Sequence, residues 1–553
     1  MTPHFSPIQI SPMKPTLLRA SFALLLAFTA APLPAAEKPN IIVILVDDMG
    51  FSDIGCYGGE IPTPNLDKLA ANGLRFTQFY NTGRCCPTRA SLLTGLYSHQ
   101  AGVGGMVQDQ HLPGYRGHLN DRCVTLGDVL RRAGYLTAAS GKWHVGHTDK
   151  SMWPLQRGFD RFFGMPEGGG FYFKVRPERT VALGNDVVFS PTKQPPAGWY
   201  TTDAIHEHGV GFIDEALAAK KPFFLYLAHN APHFPLQAPA EEIAKFRGKY
   251  RAGWDALRTE RHRREVELGI VKPASPLSPR PAQVAAWEER SEAERDADDE
   301  RMAIYAAMIW HLDRRIGDLT AHLKERGVLD DTLILFLSDN GGTAEGGTYG
   351  TMKGSAPGSA DSHVLAGQAW ATLQNTPFRR YKSENHEGGI ATPLIAHWPA
   401  GIAARGEWST QVGHVIDIMP TVVELSGARY PSEAGGKPVE PMEGRSLVKA
   451  FHGETGVRGP LFWEHQGAAA VRDGDLKLVR LGRQGPWELY DLKTDRTELH
   501  DLAAAQPEKA KELADKWEAW AERAQVKPYP GGKGNAAAKT GNEKPAEAIL
   551  SND

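Results

Sequence analysis

The chain has 553 residues, 41% of them hydrophobic and 23% charged, with a formal net charge of −3, which describes a globular chain long enough for one large α/β domain and a smaller one. A charge this close to zero, with no basic block, excludes the electrostatic footprint of a nucleic-acid binder or a polybasic membrane contact. The cysteines Cys56, Cys85, Cys86 and Cys123 are too few for a disulfide scaffold and lack the paired spacing of a zinc site, although a single Cys56 to Cys123 bridge stays open.

Lys14 and Arg19, the apolar run Ala20 to Ala31 and the small residues Ala35 and Ala36 have the three parts of an export signal, so residues 1–36 are expected to be a signal peptide, with Met13 a fitting start. The expected location is the periplasm or outside the cell; an uncleaved anchor is the alternative. Pro32 and Pro34 cut the run short of a bilayer span, and no other stretch is long enough, so no stable membrane span is expected.

A catalytic domain is expected over 38–458. It opens with Ile41 to Val46, a continuous run of β-formers that reads as a strand buried on both faces and stops at Asp47-Asp48. Cys85-Cys86-Pro87-Thr88-Arg89 then enters a helix-forming run through Gly95, which puts Cys85 at a helix N-terminus beside the fixed charge of Arg89. A cysteine pair in a disulfide or a core is the competing reading of this stretch. Helix Leu126 to Ala133 leads into the strand Tyr135 to Ala139, which runs on to Lys142 and His144; helix Asp203 to Ala218 leads into Phe223 to Leu227, followed by His229, Asn230 and His233. Arg247 to Glu300 is charged and broken by the proline-rich Pro273 to Pro281, and reads as an elaborated loop with short helices, solvated or in part walling the pocket. Helix Met302 to Arg326 precedes the strand Leu333 to Leu337, which ends in Ser338-Asp339-Asn340-Gly341-Gly342.

This alternation predicts an α/β fold: a large, mostly parallel sheet sandwiched by helices. Four strands each deliver acids, bases or amides at the carboxyl end, where open sheets of this kind bind ligands, so the four ends are expected to share one crevice. From Gly459 the texture changes to short alternating runs, Ala468 to Arg472, Leu476 to Leu481 and Trp487 to Leu492, with tight turns between them and the amphipathic helix Pro507 to Gln525 after them. That predicts a small C-terminal antiparallel sheet with a helix over 459–526; residues 527–553 have little to bury and read as a disordered tail.

Asp47, Asp48, Asp339 and Asn340 offer hard oxygen ligands, which suit Ca²⁺ or Mg²⁺ rather than zinc, and several carboxylates in one cage favour Ca²⁺ over Mg²⁺. Arg89, Lys142 and Lys382 add cations, with His144 and His233 as candidates for proton transfer. With the histidines neutral, three cations and a divalent metal against three aspartates leave a positive site, suited to an anionic substrate.

These residues resemble the sulfatase family, within the alkaline phosphatase superfamily, and most of all bacterial arylsulfatases. CCPTRASLLTG from Cys85 to Gly95 is similar to its Cys-x-Pro-x-Arg signature, with Thr88 where many members have Ser, and VDDMG, GKWHVG, APHFPLQAP, SDNGG and HEGGIATP follow its other blocks in order. The resemblance covers about Asn40 to Val526. It implies an alkaline phosphatase-like fold and a sulfuric ester hydrolase of arylsulfatase type. It also implies that a separate formylglycine-generating maturation enzyme converts Cys85 to Cα-formylglycine, whose hydrate, a gem-diol, attacks sulfur. By the same resemblance Asp47, Asp48, Asp339, Asn340 and the position-85 oxygen hold Ca²⁺; His233 and Lys382 serve the leaving oxygen; His144 takes the second hydroxyl's proton so that sulfate departs; and Arg89 and Lys142 hold the diol and its partners in place. His147 and His386 have no matched role, His229 reads as structural, and Gly168 to Tyr172 either lines the pocket or forms a plain turn with packed aromatics. The alternatives are a phosphonate monoester or phosphodiester hydrolase with the same chemistry, a carbohydrate sulfatase, and a sulfate-ester-binding protein that is never matured.

Overall fold

The structure, a computed structural model, describes residues 38–530; the expected signal peptide lies outside the described residues, as does the expected tail from residue 531. Eleven strands form the main sheet. In chain order they are β1 (Asn40–Val46), β2 (Leu74–Tyr80), β3 (Leu136–Lys142), β4 (Arg161–Met165), β5 (Val181–Leu183), β6 (Asp186–Phe189), β7 (Phe223–Ala228), β8 (Thr332–Ser338) and, after the small hairpin β9 (Thr351–Lys353) and β10 (His363–Leu365), β11 (Ala391–His397), β12 (Glu407–Ser409) and β13 (Gly413–His414). Across the sheet the order is β12-β2-β11-β8-β1-β7-β3-β4-β5-β6, with β13 also on β2. The five central strands β8, β1, β7, β3 and β4 are mutually parallel. β11 is inserted antiparallel between β8 and β2, and β5 is antiparallel to both its neighbours.

The period of two along each strand divides the core. Ile42, Ile44 and Val46 of β1 join one apolar cluster, and Ile41, Val43 and Leu45 join the other. The helices α1 (Pro64–Ala71), α2 (Cys85–Thr94), α3 (Leu126–Arg132) and α4 (Thr201–Ala218) are shared between the two faces: α4 packs on β3 and β7 together with the long helix Glu292–Glu325, while Leu92 and Leu93 of α2 and Val129 of α3 belong to the opposite face. Cys56 and Cys123 lie in these two different clusters and none of the four cysteines is in a disulfide, so the sheet itself separates the two partners of the bridge left open by the sequence.

The charged stretch 247–300 is more ordered than expected. It contains the helix Gly253–Glu267, anchored by the buried Arg261 on Asp53 at 2.8 Å and Glu60 at 2.7 Å. The helix expected to begin at Met302 begins at Glu292, where Ser291 and Glu294 form a capping box. Acidic residues of its first turns, Asp298 and Asp299, are buried against Arg290, Arg301 and Arg247.

Near the C-terminus β14 (Glu433–Ala434) and β15 (Lys437–Pro438) form a short hairpin, and β16 (Leu461–His465), β17 (Ala468–Asp473), β18 (Leu476–Arg480) and β19 (Glu488–Asp491) form an antiparallel meander. The helix Pro507–Arg523 covers β17 and β18. This layer is keyed into the main body. Trp463 donates its indole N–H to the Asn81 carbonyl at 2.7 Å, and the buried Lys477 ammonium reaches Glu387 at 3.0 Å and Glu498 at 2.8 Å. Residues 527–530 do not follow the expectation of disorder: Tyr529 packs beneath the Arg483 guanidinium at 4.1 Å.

Candidate active site

Strand order brings the polar strand ends together, because β8, β1, β7 and β3 are neighbours and end level with one another: Val46 pairs with Ser338, Leu45 with Ala228, and Ala228 with Gly141. The residues just beyond therefore meet: Asp339 and Asn340 after β8, Asp47 and Asp48 after β1, His233 after β7, and Lys142 and His144 at the end of β3. All are buried. Asp48 and His144 sit at φ 65° and 58°, left-handed backbone that a residue with a side chain occupies at a cost of about 1–3 kcal/mol.

The helix α2 is buried along its whole length, with Cys85 as its first residue and the extended Arg84 before it. The Thr88 hydroxyl accepts from the Thr82 N–H at 3.0 Å and so fixes the entry. One turn on, Arg89 spans the crevice: Nε and Nη2 donate to Asp339 Oδ2 at 3.1 and 2.7 Å, and Nη1 donates to the Lys142 carbonyl at 3.0 Å. Lys142 Nζ lies 2.7 Å from Asp47 Oδ2. Lys382 arrives from the loop before the helix Glu387–Ile390. Its N–H donates to Gly342 at 3.2 Å, while the Asn375 amide binds both the Gly342 N–H and the Arg380 carbonyl and pins that loop to the β8 end. Lys382 Nζ lies 3.0 Å from Asp48, 3.5 Å from Glu345 and 3.4 Å from His233 Nε2. His233 Nδ1 lies 2.6 Å from the Phe234 carbonyl, and a carbonyl only accepts, so Nδ1 carries the proton and Nε2 faces the site.

Charge within the cluster is uneven. Burial raises the Asp47 carboxyl, but Lys142, His233 and Arg89 outweigh it and hold it at about 2. Asp48 and Asp339 go the other way, pushed up by burial and by the Asp47 charge against their own cations Lys382 and Arg89. A hydrogen bond from Cys86 outweighs burial and, with Lys142 and His144, drops the Cys85 thiol well below its ordinary value. Burial and the Lys142 charge bring the His144 ring down to about 4.

The donor set fits a hard divalent cation. Asp47 Oδ1 and Asn340 Oδ1 are buried with no hydrogen-bond partner among the described residues, which is costly for polar atoms in a core unless something positive binds them. Asn340 Nδ2 donates to Asp48 Oδ1 at 2.7 Å and so turns its own oxygen free. A cation at these oxygens would also relieve the repulsion that raises Asp48 and Asp339. On the other side of Cys85, the ligating atoms of Cys85, Cys86 and His144 lie within 4.8 Å of one another.

Every residue singled out in the sequence for the site is in this cluster: Asp47, Asp48, Cys85, Arg89, Lys142, His144, His233, Asp339, Asn340 and Lys382. His229 points elsewhere; its charged neighbours are His206, His311 and Asp203, and burial brings it down to about 3. His386, for which the sequence offered no role, is buried and lies 3.2 Å from Glu488 of β19. Three residues escaped sequence reasoning. Glu345 and Asn375 carry no spacing signal. His465, at the end of β16, is buried with both ring nitrogens unpartnered and feels the charges of Arg84 and Cys85.

A family model described as Sulfatase matches residues 39–428, and one described as N-sulphoglucosamine sulphohydrolase, C-terminal, matches residues 380–525. The chain is 34% identical over 529 residues to an uncharacterized sulfatase of Schizosaccharomyces pombe, the match covering 87% of this chain and 93% of that one. It is 36% identical over 431 residues to the arylsulfatase of Klebsiella aerogenes, covering 74% and 91%. Among solved structures it is similar to Ps i-CgsB in complex with k-i-k-neocarrahexaose, with a TM-score of 0.65 and 27% identity over 88% of this chain and 93% of that one.

Proposed function

The chain belongs to the sulfatase family and is a sulfuric ester hydrolase, and from that premise we propose that it cleaves aryl sulfate monoesters to a phenol and sulfate at the cluster around Cys85. The observation that carries the site is the convergence of four strand ends on Cys85, with two orphaned oxygens, Asp47 Oδ1 and Asn340 Oδ1, among them. The aryl preference is supported by the identity to the Klebsiella aerogenes arylsulfatase. Carbohydrate sulfates are the second reading, favoured by the likeness to Ps i-CgsB, whose complex holds a neocarrahexaose.

Asp47, Asp48, Asp339, Asn340 and the side chain at position 85 would hold Ca²⁺, in preference to Mg²⁺. When bound, the ion supplies positive charge that lowers the pKa of an oxygen nucleophile and offsets charge on the transferring group. Conversion of Cys85 by a maturation enzyme supplies a hydrated aldehyde, with one hydroxyl to attack sulfur and a second to be deprotonated. The remaining work belongs to the chain's own residues. Lys142 and Arg89 hold Asp47 and Asp339 at the distances given above. Lys382 Nζ and His233 Nε2 stand together on the leaving-group side, where the Lys382 ammonium donates to the departing oxygen and His233, whose Nδ1 already carries a proton, donates from Nε2 only as the imidazolium. The His144 ring, hydrogen-bonded to the Cys85 side chain, stands beside position 85 and takes the proton whose loss expels sulfate. We place the enzyme in the periplasm or outside the cell.

Mass spectrometry of the peptide between Arg84 and Arg89, from protein made by its native producer, should show an aldehyde in place of the thiol. Cys85→Ala should abolish sulfate release from phenyl sulfate while the fold survives. An unmodified thiol in fully active protein, or faster turnover of a phenyl phosphonate ester, would refute the proposal.

A further inference from the structure

The loop Gly168–Gly170 is pressed against the site. A Cβ on Gly168 would lie 2.4 Å from His144 Cγ, one on Gly170 3.0 Å from His233 Nδ1, and one on Gly169 2.8 Å from Nε of Arg179. Arg179 therefore packs against the middle glycine of a loop whose flanking glycines touch the two histidines. It closes a four-residue turn, its N–H donating to the Arg176 carbonyl at 3.2 Å, with Pro177 second and Glu178 third at φ 62°, the pattern of a type II turn. The turn sets Arg176 and Arg179 side by side, and Arg176 Nη1 reaches back to the Gly170 carbonyl at 3.5 Å.

Both arginines are half-buried, and among the described residues neither has a carboxylate within ion-pair distance. Of the nearby acids, Glu167 accepts from the Thr180 N–H at 3.2 Å and hydroxyl at 2.7 Å, Asp361 is paired with Lys174 at 2.6 Å, and Glu178, in the turn itself, is exposed. Two further groups face the pair. His363 Nε2 and His147 Nδ1 are buried without partners, His363 beside Arg176 and Lys353, and His147 beside Arg179 and Glu167. The His363 ring packs edge-on to Phe234 at 6.5 Å, and Phe234 stacks on His233 at 4.3 Å, so the cations share a wall with the leaving-group side. Burial and the Arg179 charge already depress Arg176. Two guanidinium forks without a counterion make a receptor for a planar or tetrahedral oxyanion.

We propose that Arg176 and Arg179 form a second anion subsite, and that the natural substrate is a sulfate ester whose alcohol portion carries a further sulfate or carboxylate. This rests on the sulfuric ester hydrolase reading and narrows its substrate. The scissile sulfate occupies the cluster around Cys85; the second anion lies across the glycine loop and anchors the alcohol half of the ester.

The test uses full-chain enzyme with Cys85 conversion verified by mass spectrometry, and compares kcat/KM for phenyl sulfate, the three carboxyphenyl sulfates and the three benzene disulfates. At least one dianionic ester should be preferred by about tenfold or more at low ionic strength, mainly through KM. The preference should fade near about 1 M salt, where the screening length is about 3 Å. Whether the carboxyphenyl or the disulfate arm shows it identifies the second group. The double variant R176Q/R179Q should bring the ratio of dianionic to monoanionic kcat/KM close to one, and R176K/R179K should restore part of it. Equal rates for the two classes in the wild type, or a ratio unchanged in R176Q/R179Q, overturns the subsite. A wild type that releases no sulfate from any of the esters overturns the aryl sulfate reading instead, and the subsite with it.

Discussion

Lys382→Ala should separate leaving-group catalysis from simple charge balance. Lys382 Nζ lies 3.0 Å from Asp48, 3.5 Å from Glu345 and 3.4 Å from His233 Nε2, so its removal has two consequences with different readouts. It takes a proton donor from the leaving oxygen, an effect of about 10²–10⁴ in rate, or about 2.7–5.4 kcal/mol at 1.36 kcal/mol per decade. It also strips a cation from the buried Asp48 carboxylate, which lowers stability by roughly 3–5 kcal/mol for the broken pair. The assay is kcat/KM on phenyl sulfate, whose phenoxide is a poor leaving group, and on 4-nitrophenyl sulfate, whose phenoxide needs little help, with the thermal midpoint recorded in parallel. The loss should span the full range for phenyl sulfate and stay below about tenfold for the nitrophenyl ester. Equal losses on both esters would refute a role at the leaving oxygen and leave Lys382 as a counterion for Asp48.

Three more outcomes follow from the structure. Dialysis against a calcium chelator should lower the thermal midpoint and activity together, and Ca²⁺ should restore both better than Mg²⁺; a midpoint indifferent to chelation would remove the metal from the cage. Lys477→Met leaves Glu387 to Arg496 and the more distant Arg472, and takes from Glu498 its ion-pair partner, and should cost about 3–5 kcal/mol in denaturant unfolding followed by tryptophan fluorescence, whereas a change under about 1 kcal/mol would show that the ion network does not tie the C-terminal sheet down. Despite burial, hydrogen bonds to Asp203 at 2.7 Å and Glu242 at 2.9 Å raise the His311 pKa above its ordinary value. Its contribution is therefore complete below about pH 6.5 and is lost as pH rises through the folded value, so His311→Gln should flatten the alkaline decline of the thermal midpoint, and an unchanged slope would contradict that assignment.

The central strands were legible because burial on both faces leaves an unbroken apolar signal, as in Ile41 to Val46, and because the residues after each run change abruptly to acids and bases. That pairing of signals located the members at the strand ends, Asp47, Asp48, Lys142, His144, His233, Asp339 and Asn340, while Cys85 and Arg89 were marked by the proline at a helix entrance. β11 has the same apolar texture as its parallel neighbours, so nothing in Ala391–His397 announces that it runs antiparallel; direction is set by connections, not by composition. The helix Glu292–Glu325 was shortened by its acidic start, although the Ser291 to Glu294 capping box marks the true beginning; buried arginines that neutralise Asp298 and Asp299 come from distant sequence. Glu345, Asn375 and His465 reach the site through tertiary contacts with no local pattern, which is why they were invisible, and the Arg176 to Arg179 turn was hidden because its meaning lies in the absence of a partner.

The complete burial of α2 has a consequence for timing. Cys85 is 1% exposed and Arg89 is locked onto Asp339, so a maturation enzyme has no route to this segment once the sheet has closed over it. On the proposed maturation, conversion would have to precede folding, and the matured fraction would then depend on a race between modification and collapse. Slowing synthesis should then raise the yield of active enzyme, while rapid overproduction should accumulate protein that is natively folded and inert.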